Sequence, residues 1–532
     1  MLTLAIEPTD DRANPICKDL SSCRKWLAKL QLTNLKLAHS HLLTEMTELN
    51  RYPMRITDRI VILEVLRDTV DYVQSEYTKK LAGKPLPLNE NELQVFISSI
   101  QLWQAMSHGY QRCLQTTTPS DKKIAMLCHR ALLYSGRAII HHLKTGYEFE
   151  GNLWQQLHNI YAFAESHEIH TKQVSDPQST FSIKFTCHQT YMQTLLTSQA
   201  HPAELTRSQL QLLELWLPDF IDLLTVGRHC SASQGDAQPL AFDLDSSQYG
   251  LRSAKLVKHS KYMRYLPMVP LSKDIRVKSI LLDQGKTATQ VGLGGEASSQ
   301  DCLNLLRLLH KYWCEVADMR FVPREHNHQQ AILYHDFNNI HTQLSGGVIR
   351  KPVDQAAVHK QIETFGHKLD NTPTAKKIKT LPSDSWHLDN NSLRGAQLTS
   401  EENANIRLNR RQLVAIQPAN EAGFTLGFIA WVKVMRSGQL RIGVHYLPGK
   451  IELVHLKSSG SKLTELDDSG VAFLLKPLPK IEIPPSLIIP RNWFKPRRII
   501  ELHSQKGEQL KVSLDFIVEQ GSDFERVSFK AT

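Results

Sequence analysis

The chain has no apolar run of the ~18 residues that a membrane-spanning helix needs, which removes the helical integral membrane proteins from consideration. It also lacks the basic start and apolar stretch of a secretory signal. Residues 1–15 carry Glu7, Asp10 and Asp11 instead, so the cytoplasm is the expected compartment. Cysteine is sparse, eight in 532 residues, scattered and never as C-x-x-C. That excludes a disulfide scaffold and a zinc ribbon, and the thiols read as reduced and mostly buried. The 24 histidines include the close pairs His141/His142 and His326/His328, but neither pair has cysteines or carboxylates at ligand spacing. No metal and no cofactor is expected.

Signs of catalysis are missing too. The glycine-rich stretch at 292–299 has no Lys-Ser/Thr after it, so it is not a P-loop. Ser392 has no His-Asp partners at recognisable spacing, Asp389 beside it reads as a turn residue, and no carboxylate pair stands out, so the chain does not read as an enzyme. A net charge of +10 suits anionic partners, but the charge is spread along the chain. No aromatic-basic signature of an RNA-binding module accompanies it, which argues against nucleic acid as the partner.

What is present divides the chain in two. Residues 17–228 read as nearly continuous helix with short breaks. Ile56, Ile60, Leu63, Leu66 and Val70 follow the 3.6-residue period, and Gly83, Pro85 and Pro87 mark a loop. Helices are also expected from Asn89 or Asn91 to about 116, from Asp121 to 144 behind Thr118-Pro119-Ser120, and from Pro202 to 224. Trp154, Leu157 and Tyr161 resemble the first helix of a tetratricopeptide unit, a pattern that antiparallel helix packing explains better. The expectation is an all-α helical-hairpin array that binds a protein partner. Residues 229–314 form a mixed connector, with a short strand at 239–244 and a final helix capped by Ser299 or Asp301.

Beyond 314 the pattern turns to strands. One is expected at 331–337, others at 411–416, 425–434 and 440–446, and a further set over 451–532 that makes a second small barrel or an extended sheet. Residues 346–385, polar, basic and poor in aromatics, read as a mobile insertion. The fold class is therefore α+β multidomain.

Two short motifs give the only direct pointer to a ligand. Arg320 and Arg324 form R-x-x-x-R just before the first strand, and Asn390, Ser392 and Gly395 form N-x-S-x-x-G. Two guanidiniums four residues apart can project to one side and bind phosphate bidentately or pair with a guanine edge. The asparagine can bond a guanine or hold an arginine, the serine offers a hydroxyl, and the glycine lets a backbone come close. A hairpin with Trp431 in one strand and Gly443 in the other completes the set.

With these residues the segment 315–450 resembles the PilZ family of bacterial cyclic-di-GMP-binding β-barrels. The resemblance implies a β-barrel with the insertion at 346–385, ligand contacts from Arg320, Arg324, Asn390, Ser392 and Gly395, and a cyclic-di-GMP receptor that couples dinucleotide binding to a partner held by the helical array. The 65 residues between Arg324 and Asn390 exceed the family's usual spacing, which the insertion accounts for, and asparagine stands where aspartate is commoner. The alternative is a ligand-independent scaffold or chaperone-like adaptor whose PilZ-like barrel is degenerate.

Overall fold

The computed structural model describes the chain except residues 1–7, 115–119, 177–183, 230–236, 249, 316–328, 346–383, 403–405, 420, 422, 459–468, 480–481 and 505–506. It separates into two compact units, Met1–Ala82 with Leu88–Phe321, and Gly83–Pro87 with Val322–Thr532.

The first unit is built on helices α1 (Leu20–Leu27), α2 (Leu35–Arg51), α3 (Ile56–Thr78), α4 (Glu90–Leu114), α5 (Asp121–Thr145), α6 (Asn152–Ser166), α7 (Cys187–Gln199) and α8 (Arg207–Asp222). Two further helices follow, α9 (Val269–Asp283) and α10 (Ser299–Trp313). Short side chains define the starts. Asp19 with Ser22, Thr186 with Gln189 and Thr206 with Gln209 form reciprocal capping boxes, each satisfying two otherwise orphaned backbone groups. Gly146, in the left-handed region at φ 80°, stops α5. Two starts differ from expectation. Pro202–Glu204 is a separate 3-10 turn and α8 begins only after Thr206, because the chain is extended at Leu205 and the Thr206–Gln209 box caps a new helix there. Ser298 caps α10, one residue before the expected cap. The strands of this unit are minor: β1 (Val174–Ser175) pairs with β2 (Lys184–Phe185), and β3 (Leu240–Asp243) lies between β4 (Arg252–Ser253) and β5 (Met263–Leu266).

The interior of the helical unit is not purely apolar. Arg67 and Arg130 are buried and share Asp176, which accepts from Arg67 Nη2 at 3.0 and 3.1 Å and lies 2.7 Å from Arg130 Nη1. Glu64 sits on the other side of both guanidiniums and takes the Tyr110 hydroxyl at 2.6 Å. Two carboxylates against two guanidiniums balance the charge of this cluster, which is the condition for burying it.

The second unit holds two closed six-stranded barrels. The first comprises β6 (Gln329–His335), β7 (Asp384–Ser392), β8 (Gly395–Ser400), β9 (Leu413–Pro418), β10 (Thr425–Val434) and β11 (Leu440–Tyr446), in the spatial order β10-β11-β8-β7-β6-β9. The second comprises β12 (Ile451–Ser458), β13 (Ser469–Leu475), β14 (Ser486–Pro490), β15 (Ile499–Ser504), β16 (Gln509–Gln520) and β17 (Phe524–Ala531), in the order β12-β13-β14-β17-β16-β15. The α+β architecture read from the sequence is thus present, and the second β region is a barrel. Two elements depart from expectation. The strand expected to run through Phe337 ends at His335. Asp336 then adopts φ 68°, and α11 (Phe337–Leu344) follows with Phe337, Ile340 and His341 buried. Strand β8 occupies a stretch that the sequence pattern does not mark as a strand.

The two barrels share a core. Phe337, Ile340, Leu413, Ala415, Leu426 and Phe428 of the first pack with Phe473, Leu475, Ile488 and Phe524 of the second. Polar contacts close the seam: Leu413 N–H donates to Asp523 at 2.8 Å, and Arg411 Nε donates to the Gln520 carbonyl at 2.7 Å. Among the described residues no helix is long and apolar enough to cross a membrane.

Candidate functional site on the first barrel

The N-x-S-x-x-G residues lie on the β7–β8 hairpin. Asn390 and Ser392 belong to β7 and Gly395 opens β8, so the motif occupies a strand pair and its turn. Leu393 and Arg394 form the tip, with Leu393 89% exposed. Ser392 Oγ donates to the Gly395 carbonyl at 2.9 Å, closing the turn. The Tyr446 hydroxyl and the Ser392 amide both donate to Asn391 Oδ1 at 2.9 Å. Burial, with some help from the Glu421 carboxylate, pushes the Tyr446 phenol up to about 12, so it stays a donor at ordinary pH. What requires glycine at 395 is the close approach of the neighbouring strand: a β-carbon there would run into the Val444 carbonyl oxygen of β11.

A bulge in β7 decides what the hairpin displays. The pairing slips between Leu388 and Asn390, which leaves Asp389 and Asn390 together opposite Gln397. Asp389 is therefore a strand residue and not a turn residue. Its Oδ2 accepts from Thr399 Oγ1 at 2.7 Å and from Gln397 Nε2 at 3.0 Å, with Arg441 Nε 3.9 Å away.

Directly paired residues in antiparallel strands lie on the same face, so the register can be followed across the sheet. Leu388, Leu398, Ile442 and Val432 make one row across four strands, all buried in the barrel interior. The next row, on the opposite face, is Asn390, Gln397, Gly443 and Trp431. Beside it runs His387, Thr399, Arg441 and Lys433. Gly443 is the low point of this outer face. A side chain there would collide with the Trp431 indole nitrogen, so the absence of one lets the indole lie over the sheet. Lys433 Nζ stands 5.5 Å from the indole centroid. The outer face thus combines the Gln397 carboxamide, with the buried Asn390 amide beside it, a half-buried aromatic plane and two cations, which is a set able to receive a flat, polar, anionic ligand.

Of the residues singled out in the sequence, Asn390, Ser392 and Gly395 come together on one hairpin, and the Trp431/Gly443 pair lies in the same row as Asn390. Arg320 and Arg324 lie outside the described residues, as do residues 346–383 of the expected insertion. Gln397, Thr399, Arg441 and Lys433 do not stand out in the sequence as site residues. The signal that could have found them is the alternation of Gln397 and Thr399 with buried Ala396 and Leu398. Among the described residues no group of three or more His, Cys, Asp or Glu side chains is arranged to hold a metal.

Comparison with known proteins supplies an independent observation. Residues 21–229 match the family model described as the N-terminal domain of the cyclic-di-GMP receptor FimW, and residues 465–532 match the FimW C-terminal beta-barrel domain. Both ends of the chain are FimW-like. A curated relative, the cyclic-di-GMP receptor FimW of Pseudomonas aeruginosa, is 20% identical over 396 residues, which cover 70% of this chain and 60% of the relative. The FimW-like segments take in α1–α8 and much of the second barrel, whereas the β7–β8 hairpin lies between them.

Proposed function

We propose that this chain is a cyclic-di-GMP receptor whose first barrel is PilZ-like and binds the dinucleotide on the outer face of β7, β8, β11 and β10. The observation that carries the reading is the row Asn390, Gln397, Gly443 and Trp431 beside the Ser392–Gly395 turn. Asn390 pairs with a guanine edge or positions an arginine, Trp431 offers a plane for a base, and Arg320 and Arg324 take the phosphodiesters. Likeness at both ends to receptors of this dinucleotide supports the same ligand. On this reading the helical unit holds a protein partner, and binding at the barrel alters that engagement through the segment that carries Arg320 and Arg324.

Calorimetric titration of cyclic-di-GMP into the full chain tests this. Saturable binding is expected, weakened at least tenfold by Arg320→Ala, Arg324→Ala and Asn390→Ala. No heat at tens of micromolar ligand from the unaltered chain refutes the receptor reading and leaves the ligand-independent adaptor. Binding that all three variants leave unchanged refutes the site.

A further inference from the structure

A second feature able to take a small molecule lies in the helical unit, far in sequence from the hairpin. Helices α5 and α7 are both wall elements of a cavity of about 410 Å3, within the roughly 300–1,000 Å3 range typical of small-molecule sites. Two helices packed in a core normally present apolar stripes to each other. Here polar residues share the stripe of α5 with Leu133 and Ile140. Helix α5 lines the cavity with Arg137, His141 and Lys144, and α7 lines it with Thr190, Thr194 and Thr197. Both sets fall at i, i+4 and i+7, so each occupies one helix face. Gly136 explains how the helices come close beside the cavity, since a β-carbon there would collide with Thr194 Oγ1.

The groups differ in how fully they are occupied. Arg67, which also lines the cavity, is saturated: Nε donates to Tyr134, Nη1 to Glu64 and Nη2 to both Asp176 oxygens. Arg137 is not. Its Nη1 meets Asp71, and among the described residues its Nε and second terminal nitrogen make no hydrogen bond. Its guanidinium is nonetheless held in place, 5.0 Å from the Trp103 ring centroid and 5.3 Å from that of Tyr134. Its side chain is 34% exposed, as befits a group at a cavity wall. Lys144, two turns along, is 33% exposed and meets Glu214 at 2.6 Å. Between them His141 Nε2 is buried with no hydrogen-bond partner among the described residues, and burial pushes its imidazole down to about 3, so it is neutral. On the opposite wall the hydroxyls of Thr190 and Thr194 donate back to the Thr186 and Thr190 carbonyls, which leaves their oxygen lone pairs to accept.

A fixed guanidinium with a free edge recognises phosphate or carboxylate, and a row of acceptor hydroxyls recognises hydroxyl donors. From this we infer that the cavity between α5 and α7 is a binding site for a small phosphate monoester of a polyhydroxylated molecule, either a sugar phosphate or a nucleoside monophosphate, with the phosphate on Arg137 and Lys144 and the hydroxyls on the threonine stripe. The site is separate from the barrel face and takes a different ligand.

Calorimetric titration of the full chain with glucose 6-phosphate, guanosine monophosphate and inorganic phosphate tests the assignment. One saturable site is expected for at least one organic ester, at least tenfold tighter than for inorganic phosphate, and the ester that binds identifies the source. Arg137→Gln weakens it at least tenfold, Lys144→Gln several-fold, and Asn390→Ala on the barrel leaves it unchanged. Thr194→Val weakens the ester and not inorganic phosphate. Should Arg137→Gln unfold by circular dichroism, Lys144→Gln and Thr194→Val decide. Absence of binding by both esters at millimolar concentration, or affinity unmoved in every variant that folds, overturns the proposal.

Discussion

Asp523 should make the barrel pair more stable in mild acid than at neutral pH. Its carboxyl sits at the seam between the barrels, where one oxygen accepts the Leu413 amide and the other is buried without a hydrogen-bond partner among the described residues. Burial, reinforced by the nearby Asp336 charge and only partly offset by backbone amides, pushes it up to about 6 from an ordinary 3.8. A carboxyl whose folded value is raised keeps its proton in the folded state while the unfolded chain has already lost it. Its cost is therefore absent below about pH 4, accumulates between about pH 4 and pH 6, and is complete above that; a rise of this size corresponds to about 2–3 kcal/mol. Asp523→Asn keeps an acceptor for Leu413 and removes the charge. Urea unfolding of the barrel transition, followed for both proteins from about pH 4 to pH 7.5, isolates the effect, because every other titrating group cancels in the difference. The variant should gain about 2–3 kcal/mol on the unaltered chain across that range. A difference that does not change with pH, or one that moves against the variant as pH rises, would refute the reasoning.

Asp176→Asn should destabilise the helical unit by about 3–5 kcal/mol in urea unfolding followed by far-UV circular dichroism, since it strands Arg67 and Arg130 in the interior; a loss below about 1 kcal/mol would mean the guanidiniums find other partners. Gly443→Ala should cost about 1–3 kcal/mol and shift the near-UV tryptophan signal, as the added carbon evicts the Trp431 indole. Trp431→Ala should leave the half-exposed position folded and weaken cyclic-di-GMP by about 1–3 kcal/mol, the usual worth of one stacked base; unaltered affinity would remove the indole from the site.

Much of this was legible in the residues, and the failures have identifiable causes. The helices of the first unit announce themselves through long periodic stretches such as Ile60, Leu63, Leu66 and Val70, and the strongest hairpin, β10–β11, through alternation and the Ser437-Gly438 turn. Helix α11 escaped because eight residues hold only two turns, and the break before it is an aspartate, not a glycine or proline, at φ 68°. Strand β8 escaped because its inward residues are small or polar, Ala396 and Ser400 flanking a single leucine. The hairpin was legible as a string, but the face it displays was not. N-x-S-x-x-G named the hairpin, whereas the row through Gln397, Gly443 and Trp431 exists only by virtue of register, and the β7 bulge that turns Asp389 beside Asn390 has no local marker in the chain. At Gly395 the close approach is that of the Val444 carbonyl on the neighbouring strand.

The shared core between the barrels bears on how this half of the chain can be handled and how it transmits force. A cut near residue 450 would expose Phe473, Leu475, Ile488 and Phe524 on one fragment and Leu413, Leu426 and Phe428 on the other, large apolar faces that would drive each fragment to aggregate. The pair should melt as one cooperative block, with amides of β9 and β17 exchanging at a common rate. Strain introduced at one barrel then has no slack joint in which to dissipate: a tilt of β10 is delivered to β17 through Phe428 and Phe524, whose rings lie 6.3 Å apart. The second barrel acts as an anvil against which the first is braced.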